Sequence, residues 1–424
     1  MSEVNGLHLL TWIEIIVQVV KAFIQLLYSP LFWVVMLLLA YQYYQMYKSK
    51  EALFGIKGET LWPYFLAIGS GLVGGLAASF LMVFLGISLN NIGIIWLWPV
   101  AILLLFISPR LVCFSYAGGL ISLSYLIFGV PHVDVPQLMA LVALLHMVEA
   151  LLILVTGHVD AVPVYMRHQS GRVIGAFNLQ KFWPIPMVAL AFMVVPGGEF
   201  VEGFVQMPNW WPLIKPGGVQ ESAKVVYQLI PVVAALGYGD LAAVSSPREK
   251  SRKSSFHLFL FSFVLLGLSV LASHVSWTAF LPALFSPLGH EMVIRLSQKE
   301  GQSGTPLYVD PVRGVMVLDV LPGSPAYRLG LRTGDIILDI NGWPVNSKYD
   351  MSVALEDSLG FIEAEWLQYK SNKFSRNAIR KGLGQPFGVI LAPGPYDAPM
   401  VKFSSDGILL RWLRKLRKRF LTSK

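Results

Sequence analysis

Two acid–base residues lie inside one apolar stretch of this chain. His146 and Glu149 are three residues apart, which would put both side chains on one face of a helix within residues 137–157. An ionisable residue at membrane depth predicts a functional site by default, so the pair is a candidate intramembrane polar site for a proton or a metal ion. The simpler alternative, which we favour, is a hydrogen-bonded pair that holds two helices together.

A histidine followed by a glutamate also opens the pattern HExxH, in which two histidines one helical turn apart bind one zinc ion. His290 and Glu291 supply the first half, but Ile294 occupies the position of the second histidine. We therefore predict no metal site here. A cysteine cage is excluded as well, because Cys113 is the only cysteine of the chain. Residues 289–296 instead predict a turn and the first strand of a folded domain.

The tetrapeptide Gly237-Tyr238-Gly239-Asp240 is similar to a potassium selectivity filter. In such a filter, the carbonyl groups of a preceding threonine and valine replace the hydration shell of the ion. Here Ala235 and Leu236 occupy those places, so we predict a tight turn near the end of a span. The chain has no G-x-S-x-G elbow, Walker A loop or paired dinucleotide glycines. We therefore expect neither an enzyme nor a bound cofactor.

The composition points to an integral membrane protein. Of the 424 residues, 55% are hydrophobic and 14% are charged, whereas a soluble chain usually carries about 25% charged residues. Apolar runs near the length of a bilayer span predict a polytopic α-helical membrane bundle of about 8–10 spans over residues 1–288. The start, Met1-Ser2-Glu3, is acidic and lacks a cleavage site, so no removable signal peptide is expected. The predicted spans are 7–27 (or an amphipathic surface helix), 31–47, 64–86, 92–107, 111–128, 137–157, 182–195, 223–244 and 256–272.

The positive charges fall in alternate loops between these spans. Lys48, Arg110, Arg172 and Arg248 would lie on one side, which the positive-inside rule assigns to the cytoplasm. The polar stretch 273–276 would allow a short return crossing over 277–288. That crossing would place the C-terminal domain in the cytoplasm, and without it the domain would face outside. We favour the cytoplasm.

Residues 314–345 carry strong turn and cap signals. An alternating strand begins at Val315, Ser324-Pro325 starts a helix, and Gly330 ends it. The residues 336–340 run back as a second strand to the turn Asn341-Gly342. The order of PGSPA, GL, GD-I and NG resembles a bacterial PDZ domain. The resemblance implies a module that binds a peptide as an extra strand at an exposed sheet edge.

The same resemblance implies where the peptide groove lies. A helix capped by Ser347 would form one wall, and a strand starting near Met292 would form the other. Core packing is the alternative for Met351 and Leu355. Strands are also expected at 361–369 and 387–391, with a basic solvated loop between them, which completes an α+β PDZ-like domain over 289–399. The expected peptide-binding residues are Met292, Val293, Ile294, Met351, Ala354 and Leu355.

The tail, residues 400–424, predicts a basic amphipathic helix. Its apolar residues recur at helical spacing, and a basic helix of this kind lies on anionic lipid. The tail explains most of the net charge of +8 without nucleic acid as a partner. A disordered basic tail is the alternative. The residues expected at the membrane surface are Arg411, Trp412, Arg414, Lys415, Arg417 and Lys418.

As a whole, the chain resembles the MinJ-like family of PDZ-containing bacterial membrane proteins, which are topological determinants of cell division in Gram-positive bacteria. A multi-span bundle, GYGD, SPLGHE ahead of the terminal domain, PGSPA and NG carry the resemblance. It implies a multi-pass scaffold of the cell membrane that bridges DivIVA-like and MinD-like partner proteins through a cytoplasmic PDZ domain. The alternatives are a PDZ-gated intramembrane protease or processing factor, and a transporter or channel that uses His146, Glu149 and Tyr238.

Overall fold

The computed structural model describes residues 2–54, 61–195, 207–208, 210–217, 224–356, 360–382 and 385–400. The predicted surface residues of the tail, Arg411 to Lys418, lie outside this part of the chain. Local signals set the helix ends; for example, the Asp134 carboxylate accepts a hydrogen bond from the Gln137 N–H at the start of the sixth helix. The first six helices are α1 (Ser2–Leu27), α2 (Pro30–Phe54), α3 (Trp62–Leu85), α4 (Ile94–Ile107), α5 (Phe114–Phe128) and α6 (Val135–Thr156).

A long antiparallel hairpin follows these helices. Strand β1 (Val162–Arg167) pairs with the start of β2 (Val173–Val195), and β2 then pairs with β3 (Lys224–Ala242). The predicted membrane helices at 182–195 and 223–244 are therefore wrong. Pro184 and Pro186 lie inside this run, and a proline in a helix interior costs about 3 kcal/mol. A strand buried on both faces is also continuously apolar, which is why the run resembled a span.

Helix α3 covers the edge of β2 that no described strand pairs with. Gly71 and Gly75 let the helix backbone contact the carbonyl groups of Pro184 and Pro186. One helical turn later, the Ser79 hydroxyl accepts a hydrogen bond of 2.8 Å from the Val188 N–H. Because the two prolines have no N–H to satisfy, the glycines and the serine together cover a strand edge that would otherwise need a partner strand.

The hairpin lies among the helices rather than on their outside. Trp183 of β2 is fully buried and donates from its indole nitrogen to Thr156 of α6 over 3.1 Å. On the α2 side, the Tyr43 hydroxyl donates to the carbonyl of Phe182. The largest hydrophobic core is accordingly shared between the helices and the hairpin.

Two more helices lead out of the hairpin, α7 (Pro247–His274) and α8 (Phe280–Ser303). A capping box starts α7, because Ser246 and Glu249 each accept a hydrogen bond from the other's backbone N–H. The predicted polar break coincides with the end of α7. Helix α8, however, runs straight through the predicted boundary at 288/289. The predicted first strand of the C-terminal domain is wrong, because Met292, Val293 and Ile294 are helical.

The motif Gly237-Tyr238-Gly239-Asp240 is part of strand β3 and not a turn. The last residue of the motif, Asp240, contacts the helices: its carboxylate lies 3.5 Å from the ammonium of Lys250 in α7. Ser254 of α7 and Ser297 of α8 each donate a hydrogen bond to the Asp240 carboxylate. Lys250 is buried, and it also donates to Ser297. This network joins the end of the hairpin to α7 and α8.

Fewer helices than predicted are long and apolar enough to cross a membrane. Within the described residues these are α3, α6 and α7, and the bent pair Trp12–Leu27 and Pro30–Lys48 would make a fourth. Helices α4 and α5 are apolar but have only 14 and 15 residues. The prediction of about 8–10 spans is too high, partly because the hairpin was counted as two of them.

From Val315 onward, the C-terminal module contains the predicted strands and helices in the predicted order. Ser324 caps α9 by accepting a hydrogen bond from the Tyr327 N–H, and Gly330 ends that helix with a φ of 104°. The segment 370–381, predicted to be a solvated loop, contains a further strand. The elements are β4 (Val315–Val320), α9 (Pro325–Leu329), β5 (Ile336–Ile340), β6 (Trp343–Pro344), α10 (Lys348–Glu356), β7 (Phe361–Leu367), β8 (Phe374–Arg380) and β9 (Val389–Leu391).

The strands of this module form one sheet in the order β8-β7-β5-β4-β9, with β6 paired to β5. Helices α9 and α10 cover its hydrophobic core, which includes Ile337, Ile340 and Trp366. The sheet is separate from that of the hairpin, although one isolated bridge joins Gly175 to Tyr308.

Candidate peptide-binding site

Helix α10 is the predicted wall of the peptide groove, and its predicted groove residues face inward. Met351 and Ala354 are buried in the core of the module, and Leu355 packs against the same core. The apolar side chains that α10 exposes are Tyr349, at 76%, and Val353, at 41%. A ligand beside this helix would therefore contact Tyr349 and Val353, which the sequence did not single out.

The opposite wall cannot be the stretch around Met292, because that stretch is helical. The segment 307–310, which is separated from β4 by four residues, lies near α10 instead. Burial and Asp397 raise the pKa of the Asp310 carboxyl, and the Lys348 ammonium at the start of α10 is close enough to oppose that rise. This segment is held by the hairpin: the Leu307 N–H donates to Ala243 over 2.9 Å, and the Gly175 N–H donates to Tyr308 over 2.9 Å. The segment 307–310 is thus anchored on the hairpin.

A cluster around Tyr165 of β1 joins the C-terminal module to the hairpin. The Tyr165 hydroxyl donates to the carbonyl of Leu391 over 2.6 Å. The ammonium of Lys348 donates to the same hydroxyl over 3.1 Å, lies 4.7 Å above the Tyr165 ring, and forms an ion pair with Asp397. The Met400 N–H completes the contact by donating to the Tyr165 carbonyl over 3.0 Å. We call Tyr165, Lys348, Leu391, Asp397 and Met400 the docking cluster.

The charges of the docking cluster stabilise each other. Burial opposes the charge of Lys348, but hydrogen bonds to Asp397 and Tyr165 outweigh burial and raise the pKa of its ammonium. Burial likewise opposes ionisation of Asp397, but the bond from Lys348 outweighs it and lowers the pKa of the carboxyl. Both groups are therefore charged at neutral pH. Lys348, at the start of α10, is therefore a cation that is already paired with the chain's own Asp397.

Strand β8 offers a second place for an added strand, because no described strand pairs with its outer side. Its edge is partly satisfied by the chain itself. The Ala378 N–H donates to the Asn377 side chain over 2.9 Å, and the Asn377 amide donates to the Leu329 carbonyl. Phe374 remains 69% exposed at the start of the strand. This edge is a weaker candidate than the α10 face, since its central donor is already used.

The polar residues predicted inside the helical part have different partners from those expected. His146 lies in α6, but its Nδ1 atom is 2.7 Å from the Val142 carbonyl and its Nε2 atom is 3.0 Å from the Cys113 sulfur. The predicted partner Glu149 is half-buried on the same helix, while both ring nitrogens contact other groups. His290 of α8 is also near Cys113, with 3.7 Å between its Nε2 atom and the sulfur. Glu291 accepts hydrogen bonds from Tyr116 and Arg295.

No pattern in the chain predicted that Cys113, His146 and His290 would meet in space. Cys113 caps α5, His146 lies in α6 and His290 lies in α8. In the sequence, Cys113 is 33 positions from His146 and 177 positions from His290. Only a shared property pointed to them: each is a metal-ligating residue type within an apolar region. Tyr165, the centre of the docking cluster, was likewise missed, because an isolated tyrosine in a strand carries no pattern.

Comparison with protein families identifies the C-terminal module. Residues 316–356, from β4 to the end of α10, match the family model described as a PDZ domain. The C-terminal module is a PDZ domain. The predicted PDZ resemblance is thus confirmed. Among solved structures, the PDZ domain of the SdrC-like protein from Listeria monocytogenes is 23% identical and covers 19% of this chain and 90% of that one, with a TM-score of 0.17.

Relatives of greater length extend the similarity beyond the PDZ domain. The cell division topological determinant MinJ of Bacillus subtilis is 24% identical over 262 residues, which are 60% of this chain and 61% of MinJ. The chain thus matches MinJ over less than two thirds of the length of that relative. The predicted resemblance to a MinJ-like PDZ protein is confirmed. The putative serine protease HhoA of Synechocystis is 37% identical over 54 residues only, 13% of this chain and 14% of that protein.

Proposed function

We propose that the protein is a membrane-anchored adaptor whose PDZ domain binds partner proteins and helps to place the cell division site. The observation that carries the proposal is the PDZ domain itself, because it presents an exposed α10 face next to the segment 307–310. The similarity to MinJ, a protein named as a cell division topological determinant, supports the process. By the same similarity, DivIVA-like and MinD-like proteins are the proposed partners.

The partner would bind as an extended segment between α10 and the segment 307–310. Tyr349 and Val353 supply exposed apolar surface, and Lys348 supplies a positive charge at the N-terminal end of the helix. An acidic side chain or a chain-end carboxylate of the partner would replace Asp397 on Lys348. The binding of a partner would therefore compete with the docking cluster, so that capture and undocking are coupled.

We also propose that α3, α6, α7 and the bent pair α1–α2 anchor the protein in the cell membrane, and that α8 leads back along α7 to a PDZ domain in the cytoplasm. Ser297, near the end of α8, accepts a hydrogen bond from Lys250 at the start of α7, so the two helices run in opposite directions. Replacing two predicted spans by one hairpin removes an even number of crossings, so the loops around Arg172 and Arg248 stay on one side. The exposed Arg252 at the start of α7 agrees with that side being cytoplasmic. The PDZ domain docks on β1 and β2 at this end of the hairpin. A green fluorescent protein fused to the C-terminus should fluoresce, and an active alkaline phosphatase fusion there would contradict the orientation.

A two-hybrid assay in bacteria tests the adaptor with a matched pair of substitutions. Val353→Glu places an acid on the exposed α10 face, and Phe374→Glu makes the same change at the β8 edge. We expect Val353→Glu to abolish the signal with a DivIVA-like or MinD-like partner and Phe374→Glu to leave it intact. The reverse result would move the binding site to β8.

A truncation completes the test. Removing residues 304–400 cuts the chain where α8 ends and deletes the PDZ domain without interrupting a helix. The truncated protein should still insert into the membrane, which fractionation measures, but should not recruit the partner to the division site. Unchanged recruitment would show that the helical part binds the partner and that the PDZ adaptor proposal is wrong.

A further inference from the structure

We propose that Cys113, His146 and His290 form a binding site for one zinc ion. The ligand atoms that these three side chains offer all lie within 4.8 Å of one another. The site joins the start of α5, the middle of α6 and the middle of α8. It is separate from the PDZ groove, and the adaptor proposal does not depend on it.

The distances fit a tetrahedral ion. With Zn–S near 2.3 Å and Zn–N near 2.05 Å, a tetrahedral angle puts the sulfur and each nitrogen about 3.6 Å apart. The Cys113 sulfur lies 3.0 Å from the His146 Nε2 atom and 3.7 Å from the His290 Nε2 atom. These two values bracket the expected separation, so small side-chain movements would complete the geometry. Three protein ligands would leave the fourth position of the ion for water or another ligand.

The hydrogen bonding of His146 presents the right atom to an ion. Its Nδ1 atom is 2.7 Å from the Val142 carbonyl, which can only accept a hydrogen bond. In the neutral ring Nδ1 must therefore carry the proton, and Nε2 keeps its lone pair toward Cys113. A backbone carbonyl in this position is the usual means by which proteins orient a metal-binding histidine.

His290 faces the cluster through its Nε2 atom, and aromatic rings surround the imidazole. Its Nδ1 atom is buried and has no hydrogen-bond partner among the described residues. The ring is enclosed by Tyr116 at 5.3 Å, Phe261 at 5.6 Å and His146 at 5.1 Å between ring centres. Because no hydrogen bond from a described residue holds Nδ1, the ring can make the small movement that aligns Nε2 with an ion.

The donor set selects the type of ion. A thiolate and two imidazoles suit zinc, whereas magnesium and calcium prefer oxygen ligands. Binding converts the thiol to a thiolate and releases its proton to water. Because Cys113 is the only cysteine of the chain, no disulfide competes for it. The aromatic rings of Tyr116 and Phe261 would shield the ion from solvent.

The position of the site gives the ion a structural consequence. Helix α8 carries His290 in its middle and leads to the PDZ domain. Cys113 caps α5 and His146 lies in α6, and α8 packs against both of these helices. A bound ion would therefore fix α8 against α5 and α6, and with it the base of the PDZ domain.

Metal content of the full chain, purified in detergent, tests the proposal. After dialysis against zinc and then metal-free buffer, we expect about one zinc ion per chain, and at least about tenfold less in Cys113→Ser, His146→Ala and His290→Ala. His274→Ala, which changes an exposed histidine at the end of α7, is the matched control and should keep the ion. Equal zinc content in all four variants would overturn the site.

Two measurements on the unaltered chain keep the test valid if a variant fails to fold. Cobalt in place of zinc should give an intense thiolate-to-cobalt absorption, which can arise only from Cys113 because the chain has no other cysteine. Zinc should also slow alkylation of Cys113 by N-ethylmaleimide, followed by intact mass, whereas magnesium should not. Alkylation at the same rate with and without zinc, together with no thiolate band, would show that Cys113 and the two histidines form only a packed polar cluster.

Discussion

At the scale of single residues, the contact between α3 and β2 depends on the absence of side chains. An added Cβ atom at Gly75 would overlap with the carbonyl of Pro186, which belongs to a rigid backbone. We expect Gly75→Ala to destabilise the protein by about 1–3 kcal/mol, as overpacking of a close contact does. Thermal unfolding of the purified chain, followed by loss of monodisperse elution, would measure the change.

Gly69 is the matched control, because it lies in the same helix and an added Cβ would meet nothing within 4 Å. Gly69→Ala should leave the midpoint unchanged or raise it slightly, since alanine favours a helix over glycine by up to about 1 kcal/mol. If both substitutions behave alike, the glycines do not serve the close approach to β2.

Residues with a local signal were predictable, and residues that meet through the fold were not. Ser324, Gly330 and Asn341-Gly342 act within a few positions of the chain, so turn and cap chemistry revealed them. Cys113 and His290 are distant in sequence, and only the packing of α8 against α5 brings them together. The partner of His146 was mistaken for the same reason: Glu149 is close in sequence, whereas Cys113 is close in space.

At the scale of elements, the buried ion pair between Asp240 and Lys250 holds β3 against α7 and α8. Removing one partner of a buried pair leaves the other charge without compensation, which costs roughly 3–5 kcal/mol. We therefore expect Asp240→Ala to lower the thermal midpoint strongly. The double substitution Asp240→Leu with Lys250→Met should recover much of the loss, because no charge is then buried.

Arg252→Met provides the control for this pair, since Arg252 lies in α7 two positions from Lys250 but is exposed. Its midpoint should stay within the range of neutral surface substitutions. A double variant that is less stable than Asp240→Ala alone would show that the hydrogen bonds to Ser254 and Ser297, more than the charges, join these elements.

The hairpin shows the limit of apolar periodicity as a guide to elements. A run buried on both faces is apolar throughout, whether it is a membrane helix or a central strand. In this chain, Pro184 and Pro186 are the local features that favour a strand over the predicted span, because their spacing of two suits one side of a strand and would interrupt a helix. The partner of that strand edge, α3 with its glycines, could not be inferred from the strand alone.

At the scale of the whole molecule, the docking cluster connects the PDZ domain with the hairpin on which it rests. Lys348 starts the proposed groove wall, yet its ammonium is paired with Asp397 and Tyr165. The same cation cannot be fully paired with Asp397 and with an incoming carboxylate. If the groove lies where we propose, the docked arrangement therefore opposes partner binding. The free energy of docking then sets the partner concentration that is needed for binding.

Asp397→Asn is expected to loosen the dock and to strengthen partner binding, because it removes the competing carboxylate while keeping the size of the side chain. Limited proteolysis should cut the segment 304–313 faster in this variant, and the two-hybrid signal should rise.

Since Lys348 lowers the pKa of Asp397, the pair contributes stability above the ordinary aspartate pKa of 3.8. It loses that stability as the pH falls through the lower pKa of Asp397 in the folded protein. Proteolysis of the unaltered chain should therefore be independent of this pair between about pH 5 and 8. Asp350→Asn, which changes a carboxylate within α10 that does not pair with Lys348, is the control and should leave both measurements unchanged. If Asp397→Asn speeds proteolysis but weakens the partner signal, the dock supports binding instead of competing with it, and the groove has to lie elsewhere on the PDZ domain.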